Sequence, residues 1–189
     1  SRFLPEGTIP FPLKTAPRRD EEIGVGPRPR PDDSLFSSLA PTSIVIDASA
    51  KKVYDLMLDL NRFDDWNPFR TMDPSVTTKV TQSKPGPGSL YEYQGDRIGR
   101  GQQLVVSGEK PNLIVSEMSF FGKKKTNLAT IEFRIHEETA GTLVTWYMEG
   151  ERGLGGKFMG VVLGFDKMMG KSFAAGLASL KTLMESESK

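Results

Sequence analysis

The chain carries a single histidine, His136, and no cysteine. A zinc site is usually built from several imidazoles or thiolates, and serine–histidine catalysis needs its imidazole inside a pocket. Alternation argues against both. Ala129, Ile131, Phe133 and Ile135 share one strand face, and Thr130, Glu132, Arg134 and His136 share the other, which assigns His136 to solvent. No metal and no cofactor are expected. Disulfides and thiol nucleophiles fall away with the cysteines. Proton transfer would then rest on Tyr91, Tyr93 or an inward carboxylate such as Glu117. A phenol, with a reference pKa of about 10, donates a proton readily but is a poor base unless a cation sits beside it. Arg97 and Arg100 fall in or beside a turn, where water holds them, so no charge-coupled tyrosine or carboxylate pair is expected in the cavity. The catalytic residues stay unassigned.

Two other strings invite chemistry. Gly153-Leu154-Gly155-Gly156-Lys157 before a helix has the glycines of a phosphate cradle but not the Walker spacing, and it reads as a connector. Phe120, Phe121, Lys123, Lys124 and Lys125 form a hairpin tip where aromatic rings and lysines could make weak contact with an anionic membrane surface. A solvated turn that protects a sheet edge is the plainer reading.

Lys+Arg number 25 against 24 Asp+Glu, so the charge balance gives no reason to expect a nucleic-acid partner. No apolar run approaches the roughly 18 residues that span a bilayer. A soluble, cytoplasmic protein is expected. The sequence begins at Ser1 rather than Met and leaves open what precedes it.

Residues 1–40 hold Pro5, Pro10, Pro12, Pro17, Pro27, Pro29 and Pro31, which excludes a regular helix or central strand there. This extension reads as a linker, or as a belt docking through Phe11 and Leu13. The domain proper is expected over residues 41–186. Thr42–Asp47 is β-branched and strand-like, and Asp47 or Ser49 can cap a helix over residues 50–60. Asn61 starts a second short turn carrying Phe63 and Trp66, stopped by Pro68. Strand-like runs then follow at Val76–Gln82, Ser89–Gln94, Arg100–Gly108, Leu113–Phe121, Asn127–His136 and Thr142–Glu149, joined by glycine, proline and asparagine turns. Successive strands with short connections exclude βαβ units. Phe158, Val162, Phe165, Met169, Phe173, Leu177, Leu180 and Met184 step by threes and fours, predicting one helix over residues 156–184. Gly156, Gly160 and Gly164 share one face of it, with Gly170 beyond; they serve close packing or make room for a ligand.

This order and several strings resemble the polyketide cyclase/dehydrase and lipid-transport branch of the SRPBCC (START-like) superfamily. The strings are Ile44-Val45-Ile46-Asp47-Ala48, Phe63-Asp64-Asp65-Trp66-Asn67-Pro68, Pro87-Gly88 before Tyr91, Gly141-Thr142-Leu143-Val144-Thr145-Trp146, and Asp166-Lys167-Met168-Met169-Gly170-Lys171 with Gly176-Leu177. The resemblance implies an α+β helix-grip fold: a curved antiparallel sheet of about seven strands around a long C-terminal helix, with two short helices after the first strand. It also implies a cavity between sheet and helix. The expected function is binding of a hydrophobic small molecule, lipid-like or aromatic/polyketide-like, with Trp66, Tyr91, Tyr93, Met118, Phe133, Trp146, Phe158, Val162, Phe165 and Met169 as ligand-binding residues. The alternatives are a cyclase/dehydrase-type enzyme using the same cavity and a chaperone-interaction module using the sheet surface.

If residues 1–40 are a linker, a chain beginning at Asp33 should melt within a few degrees of the full chain. A loss of about ten degrees in a thermal melt would indicate a docked belt instead.

Overall fold

The structure is a computed structural model that describes residues 36–122, 126–151 and 165–187, with side chains described over 39–122, 128–150 and 169–187. The chain divides into two units, Ser1–Pro31 and Asp32–Lys189, and the described residues all belong to the second. Its elements are β1 (Phe36–Ser38), β2 (Thr42–Ile46), α1 (Ala50–Leu58), a 3-10 helix (Leu60–Asp65), α2 (Phe69–Met72), β3 (Thr77–Thr81), β4 (Leu90–Gly95), β5 (Gly99–Glu109), β6 (Leu113–Phe121), β7 (Thr126–Glu138), β8 (Gly141–Glu151) and α3 (Phe165–Glu187).

The strands form one antiparallel, curved sheet in the order β1/β2-β8-β7-β6-β5-β4-β3. β1 and β2 share one edge, both paired with β8, so eight strands occupy seven positions. Leu39 N–H still donates to Met148 O across the gap. Pro41 then breaks the ladder, because it has no N–H to give. The helix-grip expectation holds, and the paired edge begins at Phe36, earlier than the β-branched run announces it.

Strands β4 to β8 alternate as half-buried antiparallel strands should. Tyr91 and Tyr93 of β4, Gln103 and Val105 of β5, Met118 and Phe120 of β6, Ile131 and Phe133 of β7, and Trp146 and Met148 of β8 are all buried. From α3, Met169, Phe173, Leu177, Leu180 and Met184 bury the stripe that the sequence spacing predicts. The 156–164 part of the expected helix lies outside the described residues.

Two local expectations change. Ser49 occupies the N-cap of α1, but its side chain makes no cap hydrogen bond. Glu137 of β7 does that work, accepting from Ala50 N–H at 3.2 Å. Pro68 does not stop the helical stretch. It stands at the N-cap of α2, and Asn67 Oδ1 accepts from Phe69 N–H at 2.7 Å, so the proline opens a turn rather than closing one.

Asp73, 1% exposed, ties α2 to the β4–β5 turn. Its carboxylate accepts from Ser75 N–H and Oγ–H and from the Arg97 and Ile98 backbone N–H groups. A Cβ at residue 95 would lie 2.3 Å from Asp73 Oδ2, so the close approach requires Gly95. The Ser75 hydroxyl first, and then the backbone donors, outweigh burial and hold this carboxyl at about 2, below its ordinary 3.8.

A depressed folded-state pKa stabilises the protein above the unfolded value, and that stability disappears as pH falls from about 4 towards 2. Asp73→Asn should therefore melt well below wild type at pH 7, with the gap narrowing below about pH 4. Melts across pH 2–7 read this directly. A second variant tests the helix. A methyl group added at Gly170 would meet nothing within 4 Å, so Gly170→Ala should stabilise α3 by about 1 kcal/mol, roughly 2–4 °C in Tm.

Candidate ligand-binding site

Aromatic rings join the three parts of the domain. Phe63 of the 3-10 helix meets Trp66 and Tyr91 edge-on, each at 4.9 Å between centroids. Trp66 meets Phe133 at 5.9 Å and Trp146 at 6.1 Å. Phe173 of α3 stacks on Trp146 at 4.1 Å and 11°. Gly176 lets the helix come this close: a Cβ there would lie 3.1 Å from Pro68 Cδ and 3.4 Å from Trp146 Cζ3. The sequence does not mark Gly176 for close packing, and Gly170, which it does, would meet nothing within 4 Å with an added Cβ. Gly156, Gly160 and Gly164 lie outside the described residues.

Beside this stack the sheet and α3 enclose an apolar chamber. Its wall is Phe69, Met72, Gln103, Met118, Phe120, Ile131, Trp146, Met148, Met169 and Phe173, around a void of about 10 Å³, the space of one water. Of the ligand-binding residues expected from the sequence, Met118, Trp146 and Met169 line it. Trp66 and Phe133 are buried behind Trp146. Tyr93 is buried against Phe69, with ring centroids 4.9 Å apart. Phe158 and Val162 fall outside the described residues, as does the side chain of Phe165.

The wall also includes Gln103, Phe69, Met72, Ile131, Met148 and Phe173, which the sequence does not mark as ligand-binding. Ile131, Met148 and Phe173 are legible there as inward positions. Gln103 is hidden by phase: in Gln103-Leu104-Val105-Val106 either alternate set looks apolar. Its regular pairing with Tyr91 and Met118 puts Gln103 on the inward face with Val105, and the register shift beyond Val105 leaves Val106 at 37% exposure. Phe120, expected at a membrane-facing tip, is 6% exposed and lines the chamber. That withdraws it from any surface contact. Phe121 lies half-buried under the Arg100 guanidinium, 5.3 Å from its ring centroid. Lys123, Lys124 and Lys125 lie outside the described residues.

The polar groups of the site fall into two kinds. The first is satisfied. Tyr91 Oη–H donates to Asp64 Oδ1 at 2.5 Å, joined by Asn67 Nδ2 at 2.9 Å. Thr78 and Arg70 donate to Asp64 Oδ2 at 2.7 and 3.2 Å. A carboxylate–tyrosine pair therefore forms, but away from the described chamber wall, where none was expected within the cavity. The carboxylate is Asp64 rather than Glu117, which is exposed, and the cation is Arg70 rather than Arg97 or Arg100. Burial raises the Asp64 carboxyl, but its four donors bring it below the ordinary value. Burial, reinforced by Asp64, pushes the Tyr91 phenol far up, and burial alone does the same to Tyr93. Both phenols stay protonated at neutral pH. Neither is a base.

The second kind is unsatisfied. Trp66 Nε1, Tyr93 Oη, Gln103 Oε1 and Trp146 Nε1 are buried with no hydrogen-bond partner, each a loss of about 1–3 kcal/mol. Gln103 and Trp146 belong to the chamber wall. His136 is exposed, as its alternation requires. Among the described residues no group of histidine, aspartate or glutamate could hold a metal.

The sequence profile of a family described as polyketide cyclase / dehydrase and lipid transport matches residues 40–185. The chain belongs to this family. No curated protein matches it significantly. Among solved structures, protein CV1439 from Chromobacterium violaceum is similar at a TM-score of 0.58 and 14% identity, over 78% of this chain and 96% of that one. The di-domain ARO/CYC StfQ of the steffimycin biosynthetic pathway gives 0.58 at 10% identity, over 82% of this chain and 52% of its own. The Aha1 dimer protein of Colwellia psychrerythraea gives 0.53 at 16%, over 79% and 96%. At these identities the shared feature is the fold.

Tyr91 Oη is committed to Asp64, so Tyr91→Phe should act on stability. Loss of a hydrogen bond to a charged group costs about 1.5–3 kcal/mol, roughly 3–12 °C in Tm. Uptake of a hydrophobic ligand should stay within about twofold in the folded variant. A stable variant with strongly weakened uptake would place the phenol in the ligand site instead.

Proposed function

We propose that the domain binds a hydrophobic small molecule, lipid-like or aromatic/polyketide-like, non-covalently between the inner sheet face and α3. The observation behind this reading is the chamber wall of methionines and aromatic rings, whose surface towards the void is apolar. Small-molecule sites are lined predominantly by such side chains.

The void among the described residues, about 10 Å³, is far below the roughly 300 Å³ or more of a ligand pocket, so a ligand bound there requires side chains to yield. Met72, Met118, Met148 and Met169 are suited to that, because unbranched thioether chains repack at little strain. Family membership covers hydrophobic ligand binding and cyclase/dehydrase-like chemistry alike. Two protonated phenols favour binding here, since neither can abstract a proton at neutral pH. The interaction-module alternative has less support: Val106 is the exposed large hydrophobic among the described residues, too little for an apolar docking patch. No described helix is long and apolar enough to cross a membrane.

The test is uptake of a neutral lipophilic fluorescent probe, Nile red, by the full chain. Wild type should bind one equivalent with micromolar affinity. Met118→Phe and Ile131→Phe, which fill the chamber, should weaken uptake about tenfold or more while keeping native circular dichroism. No uptake by wild type, or equal uptake by the folded variants, would defeat the reading.

A further inference from the structure

The lining of the chamber bears on which of the two ligand classes it takes. Methionines, phenylalanines and Ile131 make most of the described wall, and the surface turned to the void is apolar, the parts given by Gln103 and Trp146 included. No charged side chain belongs to the described wall. A hydroxyl or ketone enclosed by such a surface gives up its hydrogen bonds to water and receives none in return, and a carboxylate fares far worse. A methyl or methylene group in the same place gains by leaving water. Met72, Met118, Met148 and Met169 yield to many apolar outlines. The wall therefore discriminates by polarity more sharply than by shape.

We propose that the chamber encloses the plain hydrocarbon end of a one-ended amphiphile, an acyl chain or a comparable lipid tail, whose polar group stays outside the described wall. This rests on the reading that the domain binds a hydrophobic small molecule, and it decides between the two classes left open there. A lipid-like molecule keeps its oxygens at one end and meets the condition by entering tail first. A polyketide-like ring system carries oxygens around its periphery, so no edge of it enters without burying one. Each buried oxygen would go unpaired against the described wall, a loss that the gain from the carbon skeleton only partly offsets. The same apolar lining that admits a hydrocarbon thus rejects the polyoxygenated class.

Rigid naphthalenes separate polarity from shape, read as displacement of bound Nile red from the full chain at pH 7. 2-Naphthol has one plain end and should enter by it. 2,6-Dihydroxynaphthalene has a hydroxyl at both ends and must bury one, whereas 2,6-dimethylnaphthalene puts methyl groups of similar size in the same places. Wild type should bind the dimethyl compound at least as tightly as 2-naphthol, and the diol at least about thirtyfold more weakly than 2-naphthol. A smaller gap between diol and naphthol would overturn the proposal, since a partner in the wall would then be meeting the hydroxyl, while Nile red uptake left the binding function standing. A dimethyl compound weaker than 2-naphthol would overturn it too, because size rather than polarity would set the order. Absence of Nile red uptake would remove both readings.

Discussion

The seating of α3 on β8 is the contact on which the site depends. Phe173 lies flat on Trp146 at 4.1 Å, and Gly176, one turn on, accepts Pro68 and the edge of the same indole where a methyl group would crowd them. Three separate stretches of chain meet at this point: the turn after the 3-10 helix, the middle of β8 and the middle of α3. Stacked aromatic pairs add about 0.5–1.5 kcal/mol beyond the area they bury. The geometric consequence is larger than the energetic one. With Trp146 fixed between Trp66, Phe133 and Phe173, the indole becomes a rigid part of the chamber wall.

Polar groups are held here in two contrasting ways. Asp64 and Asp73 each gather four donors from flanking segments. Such clusters close the 3-10 helix over β3 and β4, and α2 over the β4–β5 turn. Their ordering of the chain is complete without any ligand. Trp66 Nε1, Tyr93 Oη, Gln103 Oε1 and Trp146 Nε1 are buried without a partner, and only Gln103 and Trp146 of these belong to the described chamber wall.

Much of the architecture is legible in the sequence because it is local. Period-two alternation names the inward residues of β7 and β8, and the threes-and-fours stripe names Phe173, Leu177 and Leu180 on α3. What is not legible depends on distant segments. Asp64 sits beside Trp66 in sequence, but its pairing with Tyr91 spans 27 residues and follows from the fold of the 3-10 helix. Glu137 caps α1 across 87 residues. Gln103 needs its pairing with Tyr91 and Met118 to be seen as inward, since Leu104 and Val106 offer an equally good apolar phase. Pro68 reads as a stop because proline usually ends a helix, but here it follows an irregular turn and begins a new one.

The central claim is that a ligand enters between the sheet and α3 by displacing methionines rather than by occupying a standing cavity. Methionine-methyl NMR tests it most directly, because four of the eight methionines, Met72, Met118, Met148 and Met169, line the chamber, while Met57 and Met184 are buried elsewhere in the core. On saturation with 2-naphthol, the four chamber resonances should shift together and those of Met57 and Met184 should stay in place. Shifts confined to Met57 or Met184, or none in any chamber methionine at saturation, would contradict the account.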